Sequence, residues 1–355
     1  MTEEKTSGVA AYRRLKRKNG LVLAILAFIL LAAVIFALQA GTSDMGIKDM
    51  LLSIAGQSTK QNNMVMWNIR MPRIVTAVLS GIGLGMAGVV LQGVLKNPLA
   101  DTTTLGISQG AGFGAAFAII VLGAGVQGNS AANMSFNNPY LITLCAFAGS
   151  VAASLAILVM SKFRQITPEA MVLCGVALSA MFTGGTTLLQ YFADDVELAS
   201  VVFWTFGDLG RTGWQEVRLI AVVVVMAFVF FNFNRLRYNA LESGEQTAIS
   251  LGINVPRTRI INMLVCALTA AVVVSFIGII NFIGLVAPHI MRRFLGNNYC
   301  WLLPASAMAG AVLLLLGDVL ARAVLAPVVL PIGAITSFLG APLFLYLLFK
   351  GGAKK

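Results

Sequence analysis

Little in this chain could make or break a covalent bond. His289 is the sole histidine among 355 residues, so a histidine-based metal centre or proton relay has too few members. Cys145, Cys174, Cys266 and Cys300 lack metal-site spacing and read as buried free thiols. No Ser/His/Asp arrangement or paired carboxylates emerge, so no catalytic residue and no metal ligand is assigned. A G-x-x-x-x-G-K-[ST] phosphate loop is also missing, and with it that route to nucleotide hydrolysis. Gly83, Gly85 and Gly88 spell G-x-G-x-x-G, but they follow no strand and sit inside an apolar run. The better reading is a small-residue face: Gly81 with Gly85, and Gly110 with Gly114, recur four apart and let helices approach closely. Asp318 is the one carboxylate clearly within an apolar run, and Arg322 follows it by one helical turn as a partner. A gradient-driven carrier needs more ionisable groups than that. The chain reads as a conduit without its own energy source.

Membrane spans must position these residues. The chain is 58% hydrophobic and 11% charged, with a mean hydropathy of +0.86. Soluble domains run about 45–50% apolar and about 25% charged, so water-soluble folds are excluded. Apolar runs lie at 21–38, 74–95, 105–123, 140–161, 170–192, 217–233, 260–278, 282–296, 302–321 and 333–349. At about 20 residues per span this predicts an all-α polytopic membrane protein with about ten transmembrane helices. The run 282–296 is too short to cross as a full straight helix. The first run follows Arg13-Arg14-Leu15-Lys16-Arg17-Lys18 and reads as an uncleaved anchor rather than a signal peptide. The expected division is a basic tail over 1–20, one transmembrane domain over 21–350 and a short tail over 351–355.

Charge sets orientation. With the N-terminus inside, 18 of the 25 Lys and Arg residues fall on the cytoplasmic side and 7 outside, so both termini are placed in the cytoplasm. The basic residues are spread over several cytoplasmic segments with no aromatic-interleaved stripe, and nucleic acid is not a partner.

Two cytoplasmic connections stand out. The longest, about 240–256, offers Ser243 as N-cap with Gln246 three residues on, opening a short helix that Gly252 closes. Two short helices there would form a knob, either a docking element for a cytoplasmic motor or an amphipathic linker on the headgroups. In Lys96–Gly106, Asn97-Pro98 ends one span and Asp101-Thr102 caps the next. Gly88/Gly278, Pro98/Pro288, Leu105/Leu295 and Gly106/Gly296 echo at an offset of 190, as an inverted internal repeat would.

Several motifs, in order along residues 20–350, resemble the permease subunits of ABC importers for iron–siderophores, heme and cobalamin. They are Arg70-Met71-Pro72-Arg73, Gln92-Gly93 before NPLAD, Leu105-Gly106, Trp204 with Gly207, and Leu251-Gly252. FIGLVAPHIMRR (Phe282 to Arg293), Leu330-Pro331-Ile332-Gly333 and Gly340-Ala341-Pro342 complete the set. The resemblance implies a cobalamin-permease-like fold carrying a metal chelate, with a ferric siderophore ahead of heme or cobalamin. It implies a second permease copy (a homodimer, or a heterodimer), two ATPase subunits holding ATP and Mg, an extracytoplasmic binding protein, surrounding lipid, and no cofactor on this chain. The alternative is a secondary, ion-gradient-driven transporter.

Site residues follow from the same resemblance. Gly244, Glu245, Gln246, Ala248, Leu251 and Gly252 are expected to couple to the ATPase. Arg70, Arg73 and Arg322 are expected to grip the binding protein's carboxylates, a task suited to the planar guanidinium; snorkelling at the interface, or a structural pair with Asp318, would explain them as well. Ile166, Thr167 and Pro168 match the cytoplasmic gate, or else an ordinary capping turn. Asn97, Pro98, Pro288, His289, Arg292, Pro331 and Gly333 carry structural motifs. Two positions depart from the family pattern: Val329 replaces a frequent Glu and Thr102 a frequent Pro.

Overall fold

A computed structural model describes residues 2–40, 47–125, 138–164, 167–325 and 328–352. Among these residues the regular structure is helical throughout: α1 (Thr2–Gln39), α2 (Ile47–Ile54), α3 (Lys60–Val65), α4 (Met71–Val94), α5 (Ile107–Ala116), α6 (Pro139–Arg164) and α7 (Pro168–Phe192). Then come α8 (Asp195–Thr205), α9 (Trp214–Glu242), α10 (Glu245–Ser250), α11 (Val255–Ile277), α12 (Ile283–Leu295), α13 (Tyr299–Ala323) and α14 (Ile332–Gly352). Each of the ten apolar runs carries a helix. Seven are long and apolar enough to cross a membrane, while those beginning at Ile107, Ile283 and Ile332 are shorter.

The 13 residues of α12 rise only about 20 Å, less than a bilayer's apolar thickness of about 30 Å. That span is short, as its run predicts. The helix of the third run begins at Ile107, and its last turn is a π-helix over Phe117–Val121. Helix α1 runs without a break from Thr2 through the first apolar run. Helices α2 and α8 lie on the connections between spans, outside the ten predicted runs.

Helix α4 is the centre of the bundle, buried along most of its length against α9, α11, α12 and α13. Close approach explains its glycines. A methyl group on Gly81 or Gly85 would strike the backbone of α13 at Gly310 and Ser306, and one on Gly88 would strike Gly284. Gly110 and Gly114 meet α6 at Gly149 and Cys145 in the same way. The four-residue glycine spacing is therefore a packing device, as expected, with van der Waals contact replacing the hydrophobic drive that lipid removes.

Helix α3 continues into α4 through a π turn, Met66–Arg70, whose ladder widens so that the N–H of Met71 reaches the carbonyl of Met66. Pro72 sits just beyond it and has no N–H for the carbonyl four residues back. At the offset of 190, Gly106 and Gly296 share a positive φ, while two of the other pairs differ in setting. Gly88 lies mid-helix whereas Gly278 turns with φ +80°, and Pro98 lies in a turn whereas Pro288 lies inside α12.

Candidate functional site

Three places gather the polar residues that the sequence singles out. The first is the cytoplasmic knob. Ser243 closes α9 rather than capping α10, whose N-cap is Gly244 at φ +127°, a conformation that favours glycine. The expected capping box is absent because α9 extends through Glu242, which leaves Ser243 at its C-terminus. A single short helix stands there, not two, and α11 starts at Val255. Gly252, at φ +77°, ends the turn as predicted. Ala248 packs inward while Ile249 and Leu251 are 62% and 67% exposed. Glu245, the first residue of α10, is bound by Arg259 of α11.

The second place is the Lys96–Gly106 turn. Asn97 Oδ1 accepts the N–H of Leu99 at 2.9 Å, bracketing Pro98. Asp101 does not cap α5. Gly106, at φ +74°, occupies that position, and the Asp101 carboxylate instead accepts from the Thr102 N–H at 2.7 Å and from the hydroxyls of Thr102 and Thr103. Asp101 is buried, and desolvation raises its pKa against these hydrogen bonds. It lines a cavity of ≈ 410 Å³ with Gln109, Ser179 and Asn281. On α12, Pro288 has no N–H for Gly284, and the side-chain amide of Gln92 donates to that carbonyl at 3.3 Å. Gln92 also accepts from Arg292. His289 lies mid-helix, not at a helix end, with its ring edge-to-face on Phe344 at 5.8 Å.

The third place is a charge cluster at the opposite end of α4. Asp318 is 0% exposed and binds Arg73 at 2.8 Å and Arg322 at 3.0 Å. The expected pair with Arg322 forms, and Arg73 joins it. Arg322 also donates to the Ala40 carbonyl and Arg70 to that of Leu38, so both tie down the C-terminal end of α1. A helix C-terminus carries free carbonyls and partial negative charge, which guanidinium groups satisfy. The three arginines named for binding-protein docking are thus brought together, with their guanidiniums already on acceptors within the chain.

The remaining motif residues serve the backbone locally. Thr167 caps α7, accepting weakly from Ala170, and Pro168 takes the first helical position. Ile166 lies outside the described residues. Gly333 donates its N–H to Phe206 at 2.9 Å, and Pro331 accepts from Ile335 at 3.1 Å. Of the four free cysteines, Cys266 is buried and the others only partly so. Arg259 had no assigned role, and its one sequence signal is a cation near a helix N-terminus, where the dipole disfavours it.

A model of the FecCD transport family matches residues 29–350. A Methanocaldococcus jannaschii protein, provisionally named an ABC transporter permease, is 50% identical, with 96% of each chain covered. The hemin transport system permease of Yersinia pestis is 34% identical over 92% of this chain and 95% of its own. The vitamin B12 import permease of Escherichia coli is 35% identical over 96% and 98%. Among solved structures, an inward-facing ABC transporter provisionally typed as metal-chelate superposes with a TM-score of 0.80 at 27% identity. That match covers 93% of this chain and 99% of the other.

Proposed function

This chain belongs to the FecCD transport family, and on that premise we propose how its parts serve import. It is a multi-pass permease subunit of an ABC importer, and ATP hydrolysis belongs to separate subunits. The cargo is a metal chelate, with a ferric siderophore ahead of heme or cobalamin. One observation carries the coupling assignment: α10 presents Ile249 and Leu251 outward from a base anchored by Ala248 and the Glu245–Arg259 pair. Anchored apolar side chains in a polar rim suit a protein groove. Two ATPase subunits, holding ATP and Mg, dock there through Gly244 to Gly252.

A second copy of the chain completes the assembly. Of α7 only Met171 and Gly175 are buried within the protomer, which leaves a face for the partner and the pathway. The cavity at Asp101 lies beside that helix through Val176 and Ser179. Thr167 and Pro168 gate the cytoplasmic end. The binding protein docks at the other end, on a surface shaped by Arg70, Arg73 and Arg322. Both termini face the cytoplasm.

Proteoliposomes holding the permease, its ATPase and its binding protein test this. Uptake of an iron-55 hydroxamate chelate, heme or cobalamin should require ATP. Uptake that persists without ATP, or with the ATPase phosphate-loop lysine replaced, overturns the importer reading in favour of a gradient-driven carrier.

A further inference from the structure

Two acceptors converge on Arg259 at the cytoplasmic side. Its Nε donates to the Val94 carbonyl at 2.9 Å, in the last turn of α4. Its terminal nitrogen binds Glu245, the first residue of α10. Arg259 itself is buried and stands near the N-terminus of α11, where the dipole repels a cation. Local helix chemistry does not call for an arginine here; the two acceptors do.

These acceptors belong to elements with different tasks. Helix α10 carries the exposed apolar tip, and α4 is the glycine-packed axis of the bundle. A planar guanidinium can hold two acceptors at fixed angles, so displacement of α10 pulls on the end of α4 rather than swinging free. A lysine would offer a point charge on a flexible stem.

Resting on the importer reading above, we propose that Arg259 is the positioning residue through which α10 moves α4. Its task is transmission, not attachment of the ATPase. The motor's contacts lie on the far side of α10, at Ile249 and Leu251. Removing Arg259 uncouples hydrolysis from rearrangement without releasing the motor.

The test uses the full permease–ATPase complex in proteoliposomes, with Thr167→Cys as the only permease thiol. The rate of maleimide labelling is measured with and without ATP plus vanadate. In the parent complex the rate responds to nucleotide. Arg259→Gln should shrink that response at least about tenfold, the size expected for loss of a charge-assisted hydrogen bond, while the ATPase stays bound and hydrolyses ATP. Arg259→Lys should restore part of the response, and it decides the matter should Arg259→Gln fail to fold. A full parental response in either variant overturns the proposal, as does release of the ATPase by Arg259→Lys. A parent complex that binds no ATPase overturns the importer reading itself, a result distinct from either.

Discussion

The side-chain amide of Gln92, on α4, donates to the carbonyl of Gly284, on α12, the acceptor that Pro288 leaves without its helical partner. A proline inside a helix removes one backbone hydrogen bond, and here a neighbouring helix supplies the replacement. Gly88 makes the approach feasible, because a Cβ there would collide with the Gly284 backbone.

This repair predicts a non-additive pair. Gln92→Leu should cost about 1–3 kcal/mol by leaving Gly284 and Arg292 unsatisfied. In the Pro288→Ala background, where the alanine N–H can reach Gly284, the same substitution should cost about 1 kcal/mol less. Thermal unfolding of the four proteins in detergent measures the cycle. Equal costs in both backgrounds would remove Pro288 from the explanation.

Asp318, itself buried, neutralises two partly buried guanidiniums at once. Asp318→Ala should destabilise the permease by about 3–5 kcal/mol, the usual result of stranding a buried charge. The loss should appear as a lower melting temperature in the isolated permease, before any partner is added. A variant that melts like the parent yet no longer holds the binding protein would give the cluster a pure docking role.

Ile249 and Leu251 should matter to the ATPase and not to the fold, since both are exposed. Ile249→Asp with Leu251→Asp should weaken ATPase binding at least about thirtyfold, the equivalent of about 2 kcal/mol at an interface anchor. Titration of labelled ATPase onto the permease gives the affinity, and circular dichroism checks the helices. Unchanged affinity would move the docking site elsewhere.

Burial raises the pKa of Asp101 from its ordinary value of 3.8, so the folded state holds that proton more tightly than the unfolded chain. By linkage its contribution to stability is greatest below pH 3.8, declines as pH rises toward the raised folded value, and is constant above it. Asp101→Asn keeps an acceptor for Thr102 and removes the titration. Its melting temperature relative to the parent should therefore rise between acid and neutral pH. Parallel melting curves across that range would refute the assignment.

The spans were legible because hydropathy sums over neighbours in sequence, and a bilayer imposes that sum on every crossing helix. The glycine faces at Gly81/Gly85 and Gly110/Gly114 were legible for a related reason, since helical periodicity places them on one side. The short span at α12 showed itself by length. The capping assignments at Ser243 and Asp101 failed because a cap depends on where the preceding helix stops, and packing decided that.

By itself, the sequence determined an all-helical membrane permease, its family, its lack of a phosphate loop and the charge bias from which its orientation is inferred. Those properties follow from local composition and from motifs read in order. Only the tertiary structure decided what the polar residues hold. Arg73 meets Asp318 across 245 positions, and Arg259 reaches Val94 across 165. In a bundle poor in polar groups, a guanidinium takes the acceptors that helix packing brings within reach, and beyond the i,i+4 pair of Asp318 with Arg322 no spacing rule along the chain anticipates which those are.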